Sequence, residues 1–128
     1  MIRVILAVIA GYATWTVLWL GGNAVLFAEA GGVIARGERY DQTGPLLGVV
    51  LLSVVCSITS GAVCAAVSRG RYVASIVAAA LLLLTGIAVQ ASAWSLMPVW
   101  YHAAFLALVA PGVLLGSRLA SGRSPRAA

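Results

Sequence analysis

Over residues 72–117 the chain contains no Asp, Glu, Lys or Arg, and residues 4–28 and 45–68 are equally free of them. A helix crosses a hydrocarbon core of about 30 Å with roughly 20 apolar residues, each rising 1.5 Å. The two shorter stretches each suit one crossing. The long one is about twice what one helix needs, so it must turn. Its break falls at Ser95-Leu96-Met97-Pro98, because proline opens a helix and disfavours helix before it. Gly44-Pro45 marks the start of the second crossing in the same way. The expectation is an all-α integral membrane protein. It is a four-transmembrane-helix bundle over residues 1–120, with spans at about 3–28, 45–68, 72–94 and 98–119 and a short basic tail at 121–128.

Composition agrees. The chain is 62% hydrophobic and 9% charged, against roughly 45–50% and about 25% in ordinary soluble domains. So few charged side chains cannot clothe a water-soluble fold of this length. A disordered or collagen-like chain is excluded by the apolar content and by glycines that follow no period of three.

The charges that remain mark topology. All eight basic residues are arginines. Arg3, Arg69, Arg71, Arg118, Arg123 and Arg126 belong to one side of the membrane, and Arg36 and Arg39 to the other, beside Glu29, Glu38 and Asp41. The positive-inside rule places both termini in the cytoplasm and loop 29–44 and turn 95–97 outside. Tyr40, Trp94, Trp100 and Tyr101 fall at the outer boundary and Tyr72 at the inner, as an aromatic belt requires. The location implied is the cytoplasmic membrane of a bacterium. Nucleic acid is not an expected partner, since its binding needs clustered Arg and Lys on one face. Ala28-Glu29-Ala30 matches a signal-peptide cleavage site. However, the apolar run before it exceeds the about 7–15 residues of such leaders and holds Trp15, Trp19 and Gly22.

Lipid tails are as apolar as leucine, so helices in a bilayer associate through small residues that let backbones approach. In the second span Ser53, Ser57, Gly61 and Ala65 recur every four residues, with Cys56, Ser60, Cys64 and Ser68 beside them. This should be the central helix, or the face that meets a second copy. The fourth span carries Gly112 and Gly116 as a GxxxG, with Pro111 expected to kink it. Packing within the bundle is the preferred reading of both faces; a homo-oligomer interface is the alternative. Cys56 and Cys64 lie about 12 Å apart along one helix, too far for a disulfide, which needs Cα atoms within about 7 Å. They read as small packing residues.

Asn23, Gln90 and His102 share one depth near the outer rim, and Trp19, Glu29, Trp94 and Trp100 lie at that level. Tyr12, Trp15, Trp19 and Asn23 follow helical spacing and form a stripe that rises to it. Polar side chains within spans are costly and tend to face a bundle interior or a water-filled cavity. One reading is a shallow outward pocket with aromatic walls; the other is an interfacial belt with interhelical hydrogen bonds. His102 is the only histidine, and Cys56 lies roughly 9 Å deeper, so neither metal nor cofactor is expected.

An ion-coupled exporter needs a carboxylate within a span, and none is present. A dual-topology channel needs balanced arginines, and they are not. A hydrolase or transferase needs a base and nucleophile that this chain does not supply. The polar first loop, the stretch Gly61-Ala-Val-Cys-Ala-Ala-Val-Ser-Arg69 and the stretch Met97-Pro-Val-Trp-Tyr-His102 together resemble a loosely defined group of small bacterial four-transmembrane-helix proteins. That resemblance implies the four-span fold and no particular activity. The functional expectation is a non-enzymatic helper or structural subunit that binds a membrane partner or an apolar ligand. The alternative is a small oligomeric channel or transporter for a neutral or weakly polar solute.

Overall fold

The structure, a computed structural model, describes residues 2–40, 42–69, 71–92 and 94–121, with all their side chains but those of Ala30 and Ser121. The basic tail with Arg123 and Arg126, and Asp41, lie outside the described residues. Five α-helices follow in order: α1 Ile2–Leu26, α2 Ala28–Ala35, α3 Thr43–Ser68, α4 Tyr72–Ser92 and α5 Val99–Ser121, with a 3₁₀ turn at Trp94–Leu96 before α5. Among the described residues, α1, α3, α4 and α5 are long and apolar enough to cross a membrane. Large apolar side chains such as Leu20, Leu51, Leu84 and Leu119 point outward. Water does not tolerate an apolar surface of that extent, and a bilayer requires it.

Three hydrogen bonds and one ring contact define an up-down-up-down bundle. Arg3 donates to the Val67 carbonyl (3.3 Å), joining the start of α1 to the end of α3. The Arg118 guanidinium sits 5.7 Å from the centre of the Tyr72 ring, joining the end of α5 to the start of α4. At the opposite end, Tyr40 N–H donates to the Leu96 carbonyl (2.7 Å) and Arg39 to that of Ser95 (3.1 Å). The bundle therefore has an arginine end and an α2 end.

The helix α3 is central, packing most extensively against α5 and then α1. Its two small-residue rows are buried along their whole length. A Cβ added at Gly61 would overlap the Val113 carbonyl, and one at Gly116 that of Ile58; one at Gly112 would come within 2.7 Å of Ser57 Cβ. The GxxxG face is therefore occupied inside the chain, against α3. On the α1 side Ser60 donates to the Gly11 carbonyl (2.6 Å) and Trp15 Nε1 to Ser57 Oγ (3.0 Å). Ser75 and Ser117 join α4 to α5 at 2.6 Å. Both cysteines are free and fully buried. The helix α5 runs through Pro111 without interruption.

Four boundaries differ from expectation by two residues, among them the start of α3 at Thr43 rather than 45 and the end of α5 at Ser121 rather than 119. The first span ends at Leu26 rather than 28, and the outer loop opens with a helix, α2, that the pattern did not reveal. Phe27 leaves helical geometry (φ −131°, ψ 39°) and its ring seats on Gly48, where a Cβ would meet it at 2.8 Å. Gly37, at φ 74°, closes α2: its N–H reaches the Ile34 carbonyl (2.9 Å) and that of Glu38 the Val33 carbonyl (3.1 Å). That is a Schellman cap, which needs a left-handed residue at this position. The third span likewise ends at Ser92 rather than 94.

Candidate functional site

The core changes character along the bundle. At the arginine end it is built from Ala7, Val8, Cys64, Ala74 and Ala78. In the middle it holds Trp15, Leu82, Phe105 and Val109, and at the α2 end Tyr40, Leu46, Met97 and Tyr101. Small side chains let backbones close up; large ones hold them apart. The wide end is where a pocket of about 290 Å³ lies.

Every layer contributes to it. Trp19 and Asn23 come from α1, Gly31 and Ile34 from α2, Leu46 and Val49 from α3, and Val89, Gln90 and Ser92 from α4; Met97 and Tyr101 complete the wall. The lining is aromatic and aliphatic, with a few polar atoms and no charged side chain. Ligand sites commonly have this make-up. Its volume sits at the lower end of the roughly 300–1,000 Å³ usual for such sites, which suits a small molecule or part of a larger one.

Behind Gln90 lies the bulkiest fully buried polar side chain among the described residues. His102 is fully buried and Gln90 is 2% exposed. His102 Nδ1 lies 2.5 Å from Gln90 Oε1, and Nε2 lies 3.1 Å from the Trp94 carbonyl oxygen. The Trp94 ring stacks on the imidazole with centroids 4.4 Å apart, and Gln90 also meets the Tyr101 hydroxyl. Among the described residues every buried side-chain nitrogen and oxygen has a hydrogen-bond partner.

Of the residues expected at the outer site, Trp19, Asn23 and Gln90 line the pocket. His102 stands one layer behind, reached only through Gln90. Trp94 and Trp100 do not line it: Trp94 covers His102, and Trp100 packs edge-on against Tyr101 at 6.3 Å. Glu29 is exposed on α2. Its influence falls on Tyr40, whose phenol is pushed above its ordinary value by burial first and by the Glu29 carboxylate second. Leu46, Val49, Val89 and Ser92 were not anticipated, nor were Gly31, Ile34 and Met97, which reach the site only through α2 and the turn before α5.

A second cavity, of about 270 Å³, continues beneath the first. Tyr12, Trp15, Thr16 and Leu20 of α1, Leu82, Thr85 and Gly86 of α4, and Phe105 of α5 line it; Trp19 and Val89 belong to both cavities. Tyr12 and Thr85 hydrogen-bond across its lower end at 2.7 Å. Among the described residues no three His, Cys, Asp or Glu side chains converge to hold a metal. Comparison of the chain with protein families, with curated proteins and with solved structures finds no match.

Proposed function

We propose that this chain is a non-enzymatic, multi-pass protein of a bacterial cytoplasmic membrane, a helper subunit whose pocket at the α2 end binds a small neutral ligand. Arg3, Arg69, Arg71 and Arg118 gather at one end of the bundle. By the positive-inside rule that end is cytoplasmic, both termini with it, and the pocket opens outward. The observation that carries the reading is the pocket itself. It is lined by all five helices and by Met97 before α5, and it sets the amides of Asn23 and Gln90 and the Ser92 hydroxyl in an otherwise apolar wall. Such an arrangement fixes an uncharged ligand by shape and one or two hydrogen bonds. The remaining lipid-facing surface is left for a membrane partner.

A small neutral photoprobe, adamantyl diazirine, tests this in vesicles. The expected labelling is saturable, falls on Met97 and Tyr101, and drops severalfold in Gly31→Phe. That variant fills the pocket from α2 at a position where an added Cβ meets nothing within 4 Å. Label spread evenly over lipid-facing positions such as Leu51 and Leu84, unchanged in Gly31→Phe, would overturn the reading. Glycerol flux through the same vesicles, abolished by Gln90→Ala or His102→Ala, would establish a channel in its place.

A further inference from the structure

The two cavities are neighbours along the α1–α4 seam: Trp19 and Val89 line both, and together their linings run from Asn23 at the rim to Tyr12. Eleven residues of α1 separate those ends, a rise of about 16 Å. One leaflet of hydrocarbon is about 15 Å deep. The Tyr12–Thr85 hydrogen bond crosses the seam at about that depth, and a further cavity of about 380 Å³, lined by Val8, Ile9, Ala13 and Leu81, continues beyond it. The mouth of the second cavity opens sideways between Leu20 and Val89, which are 62% and 47% exposed.

The rim is polar and uncharged. Asn23 spends one of its two amide hydrogens on the Trp19 carbonyl (2.8 Å), which leaves its Oδ1 to accept and its second N–H to donate. Ser92 spends its hydroxyl hydrogen on the Val89 carbonyl (2.7 Å), so its oxygen accepts. Gln90 is committed to His102 and Tyr101. A rim of uncharged hydrogen-bonding groups suits a hydroxyl head group, which both donates and accepts and carries no charge. Beneath it, the long walls are Trp15, Leu82 and Phe105. They present little but hydrocarbon and aromatic surface.

We propose that the two cavities together serve as a groove for one chain of a neutral, hydroxyl-headed amphiphile of the monoacylglycerol class. Its chain lies between α1 and α4, and its hydroxyls meet Asn23 and Ser92. This rests on the pocket reading above and names the ligand class for the same site. An outer-leaflet molecule of this kind enters sideways through the lipid-facing mouth and keeps its head at the membrane surface throughout. Zwitterionic and anionic head groups find no charged side chain in the lining to partner them.

The test uses the full chain in nanodiscs with Trp94→Phe and Trp100→Phe, so that emission comes from Trp15 and Trp19. The probe is a monoacylglycerol with a mid-chain dibromide. Saturable quenching is expected, about tenfold weaker in Val89→Phe, which narrows the groove at its waist from an exposed position. Equal quenching in Val89→Phe would overturn the placement of the chain. Equal quenching by the dibrominated fatty acid and phosphatidylcholine would overturn the neutral head. Pocket labelling by adamantyl diazirine without monoacylglycerol quenching would sink this proposal and spare the pocket reading. Loss of both would sink both.

Discussion

At the scale of single residues, close approach does most of the work. Gly61 and Gly116 sit where a methyl group would strike a carbonyl of the facing helix, and backbone cannot step aside as a side chain can. Gly61→Ala and Gly116→Ala should each lower stability by roughly 1–3 kcal/mol or more. Gly21→Ala, where nothing lies within 4 Å, should leave it unchanged or raise it by up to about 1 kcal/mol. Unfolding midpoints in graded denaturing detergent will rank the three; a flat series would remove the close-packed α3–α5 seam. The Gln90–His102 pair makes a second claim. A double-mutant cycle with Gln90→Leu and His102→Leu should show coupling of about 0.6 kcal/mol and no more than about 1.7 kcal/mol, the range for hydrogen bonds between membrane helices. The small-residue rows were readable because a period of four is visible without coordinates. The common depth of Gln90 and His102 was readable by counting. What counting missed was that Trp94 turns back over the imidazole, since a 3₁₀ turn and not a helix carries it.

At the scale of elements, the four long helices were legible because uncharged length is a strong signal. The α2 helix was not. Ala28-Glu29-Ala30-Gly31-Gly32 has the composition of a loop, and two glycines weaken any helical preference. The helix forms because Phe27 anchors its start over Gly48 and Gly37 caps its end. Val33 and Ile34 then pack into the cluster around Leu46 and Tyr40. It supplies one wall of the pocket, through Gly31 and Ile34, and that wall lay in a segment read as a loop. The segment carries a pH signature. Tyr40 holds its proton more tightly in the folded chain than an exposed tyrosine near pH 10. Its contribution to folding is therefore complete below about pH 10 and is lost as pH climbs through the raised value. Ultraviolet titration of the wild type against Tyr40→Phe should resolve one late-ionising phenol. Glu29→Gln should bring that phenol part of the way down; an ionisation unmoved by the variant would separate α2 from Tyr40.

At the scale of the whole molecule, the bundle is asymmetric along its axis. The core at the arginine end is built from alanine, valine and cysteine, and that at the α2 end from tyrosine, leucine, valine and methionine. Sequence order alone placed the aromatic stripe of α1 and the amide of α4 at one level, and Trp19, Asn23 and Gln90 line one cavity there. It did not reveal the groove between α1 and α4, because a groove is the absence of a side chain between two helices and leaves no mark in either. The proposed account joins these features: cytoplasmic termini, an outward-facing wide end, and a neutral amphiphile seated there. Its most direct test is the labelling rate of Gly31→Cys by a membrane-impermeant maleimide, with Glu38→Cys as a control outside the pocket. The native cysteines are fully buried and should stay silent. The account predicts that Gly31→Cys reacts from the outer side and slows severalfold when a monoacylglycerol is added, while Glu38→Cys reacts from that side unchanged. Reaction of Gly31→Cys only from the cytoplasmic side, or a rate indifferent to the amphiphile, would contradict it.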